Sequence, residues 1–433
     1  MKGKCSYLNF YLTLILGVWL SGWVLAQGMV LIEEPAGVGR IQEPLSVGIT
    51  FPQGTLQSGD PVRLLDENNL PVDAQFMNMG FWPDGSVRWR KADFQVSLPA
   101  GAQRRIAVEA GTGHPVTSGL TVADNAGLIT VNTGPLRFTV SKNAFSLIEE
   151  AWLDRDRDGI FSADERVIRP GGAAMVQQGG TVYSSASGAP ISVAVEENGP
   201  MKVVIRISGF HHNGNSRYLK YQTRIYAYSG SATLRIRHSF ANGTSVSQLG
   251  SSGDPAFGAA LERYQLKFPL DVNPGGNYMI SKGEDAVRSG TLSSGSTLRL
   301  VQHTRNQLSV PLSFDLFENG AVLESGATTN GFASLSDTRH GILLAARYFW
   351  EKNPRGISLS EDGTLIYEAA AEPDFLYAGM GSGDELLLHF HPNSSVSELQ
   401  SLAEGEGRQP LQGLMRSGDY AAARPFYALS DGF

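Results

Sequence analysis

Residues 202–207 read Lys-Val-Val-Ile-Arg-Ile, and residues 232–238 read Ala-Thr-Leu-Arg-Ile-Arg-His. In the second stretch Leu234 and Ile236 alternate with Arg235 and Arg237. Successive side chains of an extended chain point to opposite faces, so one set enters a core and the other meets water. The same period recurs at Leu45–Phe51, Arg105–Val108 and Leu136–Val140. Gly, Pro, Asn and Asp separate these runs, which predicts many short antiparallel strands in sandwiches or barrels.

Turns and breaks can be placed on the same grounds. In Trp82-Pro83-Asp84-Gly85-Ser86 the proline presets one corner and the glycine tolerates positive φ. The flanking strands would contain Met77, Met79 and Phe81, then Val87, Trp89, Phe94 and Val96. Helical pattern is weak. The best stretch is Val396–Ala403, which Ser394 or Ser395 can cap. A Gly/Ser patch from Ser247 to Gly258 reads as a loop, and Gly134-Pro135 punctuates two strand runs. The expected organisation is an all-β chain: a barrel over 27–134, a sandwich over 135–395 and a tail over 396–433.

Composition agrees. Hydrophobic residues make up 42% and charged residues 18% of 433, a globular balance. Net charge is −7 and no basic cluster appears, which argues against nucleic acid as a partner. Met1-Lys2-Gly3-Lys4, the apolar stretch Tyr7–Val24 and Val24-Leu25-Ala26 have the three parts of a signal peptide cut after Ala26, the alternative being an uncleaved membrane anchor. The protein is expected to be secreted or periplasmic, with no membrane contact after cleavage. Cys5 is the single cysteine and lies in that signal. The mature chain is therefore expected to use neither disulfides nor thiolate chemistry.

One segment carries metal-binding spacing. Residues 154–165 read Asp-Arg-Asp-Arg-Asp-Gly-Ile-Phe-Ser-Ala-Asp-Glu. This is the twelve-residue pattern of an EF-hand loop. Asp154, Asp156 and Asp158 would give carboxylates, and Gly159 the sharp turn. Ile160 would give its carbonyl, Ser162 a water-mediated contact and Glu165 both oxygens. Three carboxylates so close repel one another without a cation. Pro170 follows too soon for an exiting helix, so the expectation is a lone structural Ca2+ loop set into a β framework. The alternative is a solvated acidic turn between two strands.

Other candidates are weaker. His211 and His212 are neighbours that would face opposite sides of a strand, and Asn213-Gly214-Asn215 suggests a turn there. His389 and His391 share one strand face, where they would bind metal or flank a core. No Gly-x-Ser-x-Gly elbow, phosphate loop or acid–nucleophile carboxylate pair stands out. Aromatic residues mostly read as core. Trp82, beside its turn, is the candidate for stacking on carbohydrate.

Several stretches together resemble one family. Leu70-Pro71-Val72-Asp73-Ala74-Gln75 and Trp82–Trp89 resemble the N-terminal RIFT barrel of the exo-rhamnogalacturonan lyase and YetA-like (PcRGLX-like) family. Arg224–Gly230, Leu234–His238, Gly341–Pro354 and Glu385–Phe390 resemble its central β-sandwich. The resemblance runs from about Pro44 to Pro392. It implies degradation of pectin-type polysaccharide. It also implies an α/α toroid after the sandwich, which needs several hundred residues, whereas about forty follow Pro392. No matched motif identifies a catalytic residue.

Three functions are then expected in turn. The first is a secreted, calcium-binding accessory or carbohydrate-binding protein, acting on polysaccharide or beside a separate catalytic chain. The second is a truncated or divergent rhamnogalacturonan lyase. The third is a cell-surface interaction module.

Overall fold

The structure is a computed structural model that describes residues 28–420, apart from 114–115, 117, 215, 244–257, 305–310 and 417. The signal segment, Cys5 and most of the Gly/Ser patch lie outside the described residues. Among them the architecture is all-β, a barrel followed by a large sandwich.

The barrel has two sheets. One orders strands Gln412–Met415, Gly28–Glu33, Gln103–Ala110, Val62–Leu65 and Pro71–Val72; the other orders Arg40–Thr50, Val87–Leu98 and Ala74–Phe81. The period-two pattern places Leu45, Val47 and Ile49 inside, packed with Val30, Ile32, Phe94 and Val96. The turn falls where the sequence puts it. Trp82 N–H donates to Ser86 O at 2.8 Å, Gly85 N–H to Trp82 O at 2.9 Å, and Gly85 has φ +85°.

The sandwich is built on a 17-stranded sheet that folds back on itself through cross-pairings such as Thr233–Ala241 with Gly381–His391. A five-stranded sheet, from Thr121–Asp124 to Arg166–Ile168, packs into the same core. The strand Gly341–Ala346 is buried on both faces. Ile342 and Leu344 face the main core, while Leu343 and Ala345 lie under Leu399 of the helix Val396–Leu402 and Ala403 just after it. That helix starts at Ser395, whose hydroxyl accepts from Glu398 N–H while Glu398 returns a bond to Ser395 N–H.

Two expected boundaries move. Leu128–Asn132 pairs with Leu136–Ser141, and Thr121–Asp124 with Leu128–Asn132. A division at 134 would cut through that sheet, so the barrel ends with the strand Gln103–Ala110. The segment 396–433 is no mere tail: Val30 pairs with Met415 and Glu33 with Gln412, which adds a strand to the barrel. Between helix and strand, a wide π-type turn, Ala403–Arg408, sits against both units. A Cβ on Gly405 would come within 2.8 Å of Val38, and one on Gly407 within 2.7 Å of Ala345.

Candidate functional site

The acidic loop joins two antiparallel neighbours, Glu150–Leu153 and Arg166–Ile168. It is a loop in a β framework, closed by one short 3-10 turn, Ala163–Glu165, that leads directly into the second strand. Oxygens of Asp154, Asp156 and Asp158 lie within 4.8 Å of one another. Gly159, at φ +79°, turns its N–H back to donate to Asp154 Oδ2 at 3.0 Å. That bond fixes the carboxylate and leaves Asp154 Oδ1 buried with no hydrogen-bond partner, on a residue only 8% exposed. A buried carboxylate oxygen without a donor is costly, and a cation would satisfy it.

The charges respond to this crowding. The Asp158 N–H pulls the Asp156 carboxyl down, but partial desolvation and the charges of Asp158, Glu165 and Asp154 outweigh it and hold it above the usual range. Arg155 pairs with Asp164 at 2.6 Å.

Glu165 departs from the expected ligand set. It is buried and engaged in capping: Oε1 accepts from Arg155 N–H at 2.8 Å, and Oε2 from Ser162 N–H at 3.0 Å and Ser162 Oγ at 2.9 Å. It stands outside the three-aspartate group. The one Ser162 hydroxyl hydrogen is shared between Glu165 and Asp164, the latter at 2.7 Å, and Ile160 N–H donates to Asp158 at 2.7 Å. The residues therefore fit a calcium ion through Asp154, Asp156 and Asp158. Glu165 would have to exchange its bond to the Ser162 hydroxyl to join them.

The remaining candidates resolve differently. Trp82 is buried at 7% exposure, with Nε1–H donating to Phe51 O at 3.0 Å and Arg88 over its ring. Its face is unavailable for sugar stacking, because the turn folds the indole onto its own barrel. His211 and His212 lie in the strand Lys202–Asn213 rather than a turn. His211 is fully buried between Tyr264 and Leu219 O. His389 bonds Thr233 and His391 bonds Ser334, so both are held by hydroxyls at the core edge.

A second site emerges from register. Lys202–Asn213, Ser216–Tyr228, Thr233–Ala241 and Gly381–His391 lie side by side. Arg206 faces Arg224, Arg224 faces Arg237, Tyr226 faces Arg235, and Arg237 faces Glu385. The outward set is therefore Arg and Tyr. Arg224 pairs with Glu196 at 2.5 Å and Arg206 approaches it at 3.6 Å. Arg237 and Arg347 share Glu385 at 3.2 and 3.8 Å. Four guanidiniums thus meet two carboxylates, on a chain whose net charge is −7. Arg237 lies over the Tyr226 ring at 5.6 Å.

Where this face meets the barrel there is a cleft of about 400 Å3. Tyr226, Tyr228, Arg235, Arg237 and Arg347 form one wall; Pro44–Ser46 and 410–414 form the other. The Nε atoms of Arg235 and Arg347 are buried there without hydrogen-bond partners. Tyr226 and Tyr228 fall among the aromatic residues that the sequence reads as core, and the arginines beside them are not marked there as a site. The alternation at 224–228 and 234–237 carried the signal, since apolar residues facing inward force these residues outward.

Comparison with known proteins places these observations. Residues 36–110 match the PcRGLX-like N-terminal RIFT barrel domain, and residues 120–248 the PcRGLX-like protein central beta sandwich domain. The protein YetA of Bacillus subtilis strain 168 is 21% identical over 370 residues. That alignment covers 77% of this chain and 42% of YetA, so the chain spans less than half the length of this relative. Among solved structures, a protein in the glycosyl hydrolase family 38 from Enterococcus faecalis is similar at a TM-score of 0.52 and 9% identity. The likeness covers 90% of this chain and 47% of that one. An alpha-mannosidase from E. faecalis V583 is similar at a TM-score of 0.48 and 9% identity, covering 90% and 46%. The first of these likenesses concerns the fold alone. The chain thus carries, in order, the RIFT barrel and the central β-sandwich of the PcRGLX-like proteins.

Proposed function

We propose that this is a secreted protein that binds acidic, pectin-type polysaccharide in the arginine–tyrosine cleft, with a structural calcium ion in the loop 154–165. The observation that carries the reading is the surplus of guanidinium over carboxylate beside Tyr226. A uronate carboxylate accepts two parallel N–H bonds from one guanidinium, and Arg237 and Arg347 present theirs beside an aromatic ring. A tyrosine face packs against the apolar side of a sugar ring. The role is that of an accessory chain, holding polymer for a separate catalytic chain.

Retention on immobilised pectin-type polysaccharide tests this. The protein should be retained at low salt, and Arg237→Ala should weaken retention by about tenfold, the loss of one charge-assisted pair. Elution of the unaltered protein in the void volume would sink the reading. The relation of both matched domains to rhamnogalacturonan lyases favours a second reading, in which the chain is part of such a lyase. Unsaturated sugars released by the purified chain would decide for it.

A further inference from the structure

Arg235, which lines the cleft, belongs to a buried charge cluster in which three carboxylates, Glu34, Glu43 and Glu406, surround two guanidiniums, Arg40 and Arg235. The two arginines are held very differently. Arg40 is saturated: it donates to Glu34 at 2.6 and 2.9 Å, to Glu43 at 2.6 Å and to Gln409 O at 2.9 Å. Arg235 is held loosely, at 3.4 Å from Glu43 and 3.3 Å from Glu406, and its Nε has no partner. Glu43 has other bonds, from Arg40 and from Leu411 N–H at 2.7 Å. Glu406 has one hydrogen bond among the described residues, the one from Arg235. Its side chain is 11% exposed, on the wide turn that locks helix, barrel and sandwich together.

Resting on the polysaccharide reading above, we propose that Glu406 regulates anion binding in the cleft. Ionised, Glu406 serves as the internal counter-ion of Arg235. Neutral, it releases that guanidinium to the ligand, so the cleft takes carboxylated sugars more tightly in mild acid.

The surroundings make this titration accessible. Burial pushes the Glu406 carboxyl up to about 7; Arg235 and, more weakly, Arg40 pull it down, while Glu43 pushes it further up. Burial works against the charge of Arg235, but the carboxylates of Glu406, Glu43 and Glu385 outweigh it and hold the guanidinium protonated, while burial keeps the neighbouring Tyr228 phenol neutral. On the turn itself, Glu404 is bonded to Asn330 and paired with Arg408 at 3.6 Å. Uronate carboxylates stay ionised across this range, so a binding change with pH reports on the protein.

The test is calorimetric titration with a galacturonate oligomer at about pH 5.5 and about pH 8, on the native chain and on Glu406→Gln. Native affinity should be about tenfold higher at the lower pH, the effect of one unit charge removed near a carboxylate. Glu406→Gln should bind tightly at both. Binding by both proteins with the same pH dependence overturns the role of Glu406. No binding by either protein at any pH overturns the polysaccharide reading itself. Should Glu406→Gln not fold, the carboxyl can be followed by NMR in the native chain. Reciprocal linkage requires the ligand to raise its pKa, and an unmoved titration overturns the proposal.

Discussion

Tyr264 donates its hydroxyl hydrogen to Nε2 of His211 at 2.8 Å, deep in the sandwich core. The direction follows from the far side of the ring. His211 Nδ1 meets Leu219 O at 2.8 Å, and a carbonyl only accepts, so Nδ1 carries the proton and Nε2 must accept. The Tyr264 oxygen then accepts from His238 Nε2 at 2.6 Å, and His238 Nδ1 accepts from the Thr223 hydroxyl at 2.8 Å. Every hydrogen in the chain has one acceptor, which is how two buried imidazoles persist in an apolar core.

Those imidazoles make the fold acid-sensitive. Burial lowers His211 to about 4 and His238 to about 3, each pushed further by a neighbouring histidine. His389 falls to about 3 and His391 to about 4, again chiefly by burial. A base whose folded pKa is depressed is neutral in both states above about pH 6.5. Below that, the unfolded chain takes up protons that the folded chain refuses, so stability falls as pH drops toward 4 and then 3. Across its window the loss is roughly 3 kcal/mol for a histidine lowered to about 4 and roughly 5 kcal/mol for one lowered to about 3. Denaturant titrations from about pH 7 to pH 4 should show a steep fall in unfolding free energy. A flat profile would contradict the buried neutral state.

Tyr264→Phe removes the link at the centre of the chain. It strips partners from two buried ring nitrogens, and should cost about 2–4 kcal/mol by denaturant unfolding. Tyr221 is the control. Its ring lies 5.2 Å from that of His211, but its hydroxyl is buried without a partner. Tyr221→Phe should be near neutral or mildly stabilising. Equal losses for the two would show that ring packing, not hydrogen bonding, accounts for both.

The returning C-terminal strand supplies a graded test of the barrel. Leu411 and Met415 enter its core, whereas Leu414 is 63% exposed. Leu411→Ala and Met415→Ala should each cost about 2–4 kcal/mol, and Leu414→Ala less than about 0.5 kcal/mol. A thermal melt resolves that contrast. Equal effects would mean that the strand does not complete the barrel.

Legibility in the sequence followed the range of the interaction. The turn at Trp82–Ser86, the capped helix from Ser395 and the alternating strands are local, and local chemistry announced them. The strand Gln412–Met415 has four residues and pairs with a partner almost four hundred positions away, so nothing nearby marks it. Gly341–Ala346 is apolar throughout because a helix covers its second face, which periodicity alone does not reveal. At the sites, the three aspartates were legible from spacing. The capping role of Glu165 was not, because it depends on where Ser162 and Arg155 direct their donors. The cationic face had its signal in plain view at Arg235 and Arg237, but became a site only when register set those residues beside Tyr226.

Calcium is the remaining test of the acidic loop. With Asp154 Oδ1 orphaned and three carboxylates within 4.8 Å, the ion-free loop stores repulsion that a dication relieves. An ion that binds only the folded chain stabilises it by about 2.7 kcal/mol at a hundredfold excess over its dissociation constant. Chelation should therefore lower the melting temperature by several degrees, and added calcium should restore it. Asp154→Ala should remove this response. Asp164→Ala should retain it, since Asp164 pairs with Arg155 outside the cluster. Glu165→Ala separates two roles: if its carboxylate leaves the Ser162 hydroxyl to join the ion, the calcium response disappears, and if it only caps, the protein is destabilised equally with and without calcium. Superimposable melts of the unaltered protein in chelator and in calcium would end the case for a metal at this loop.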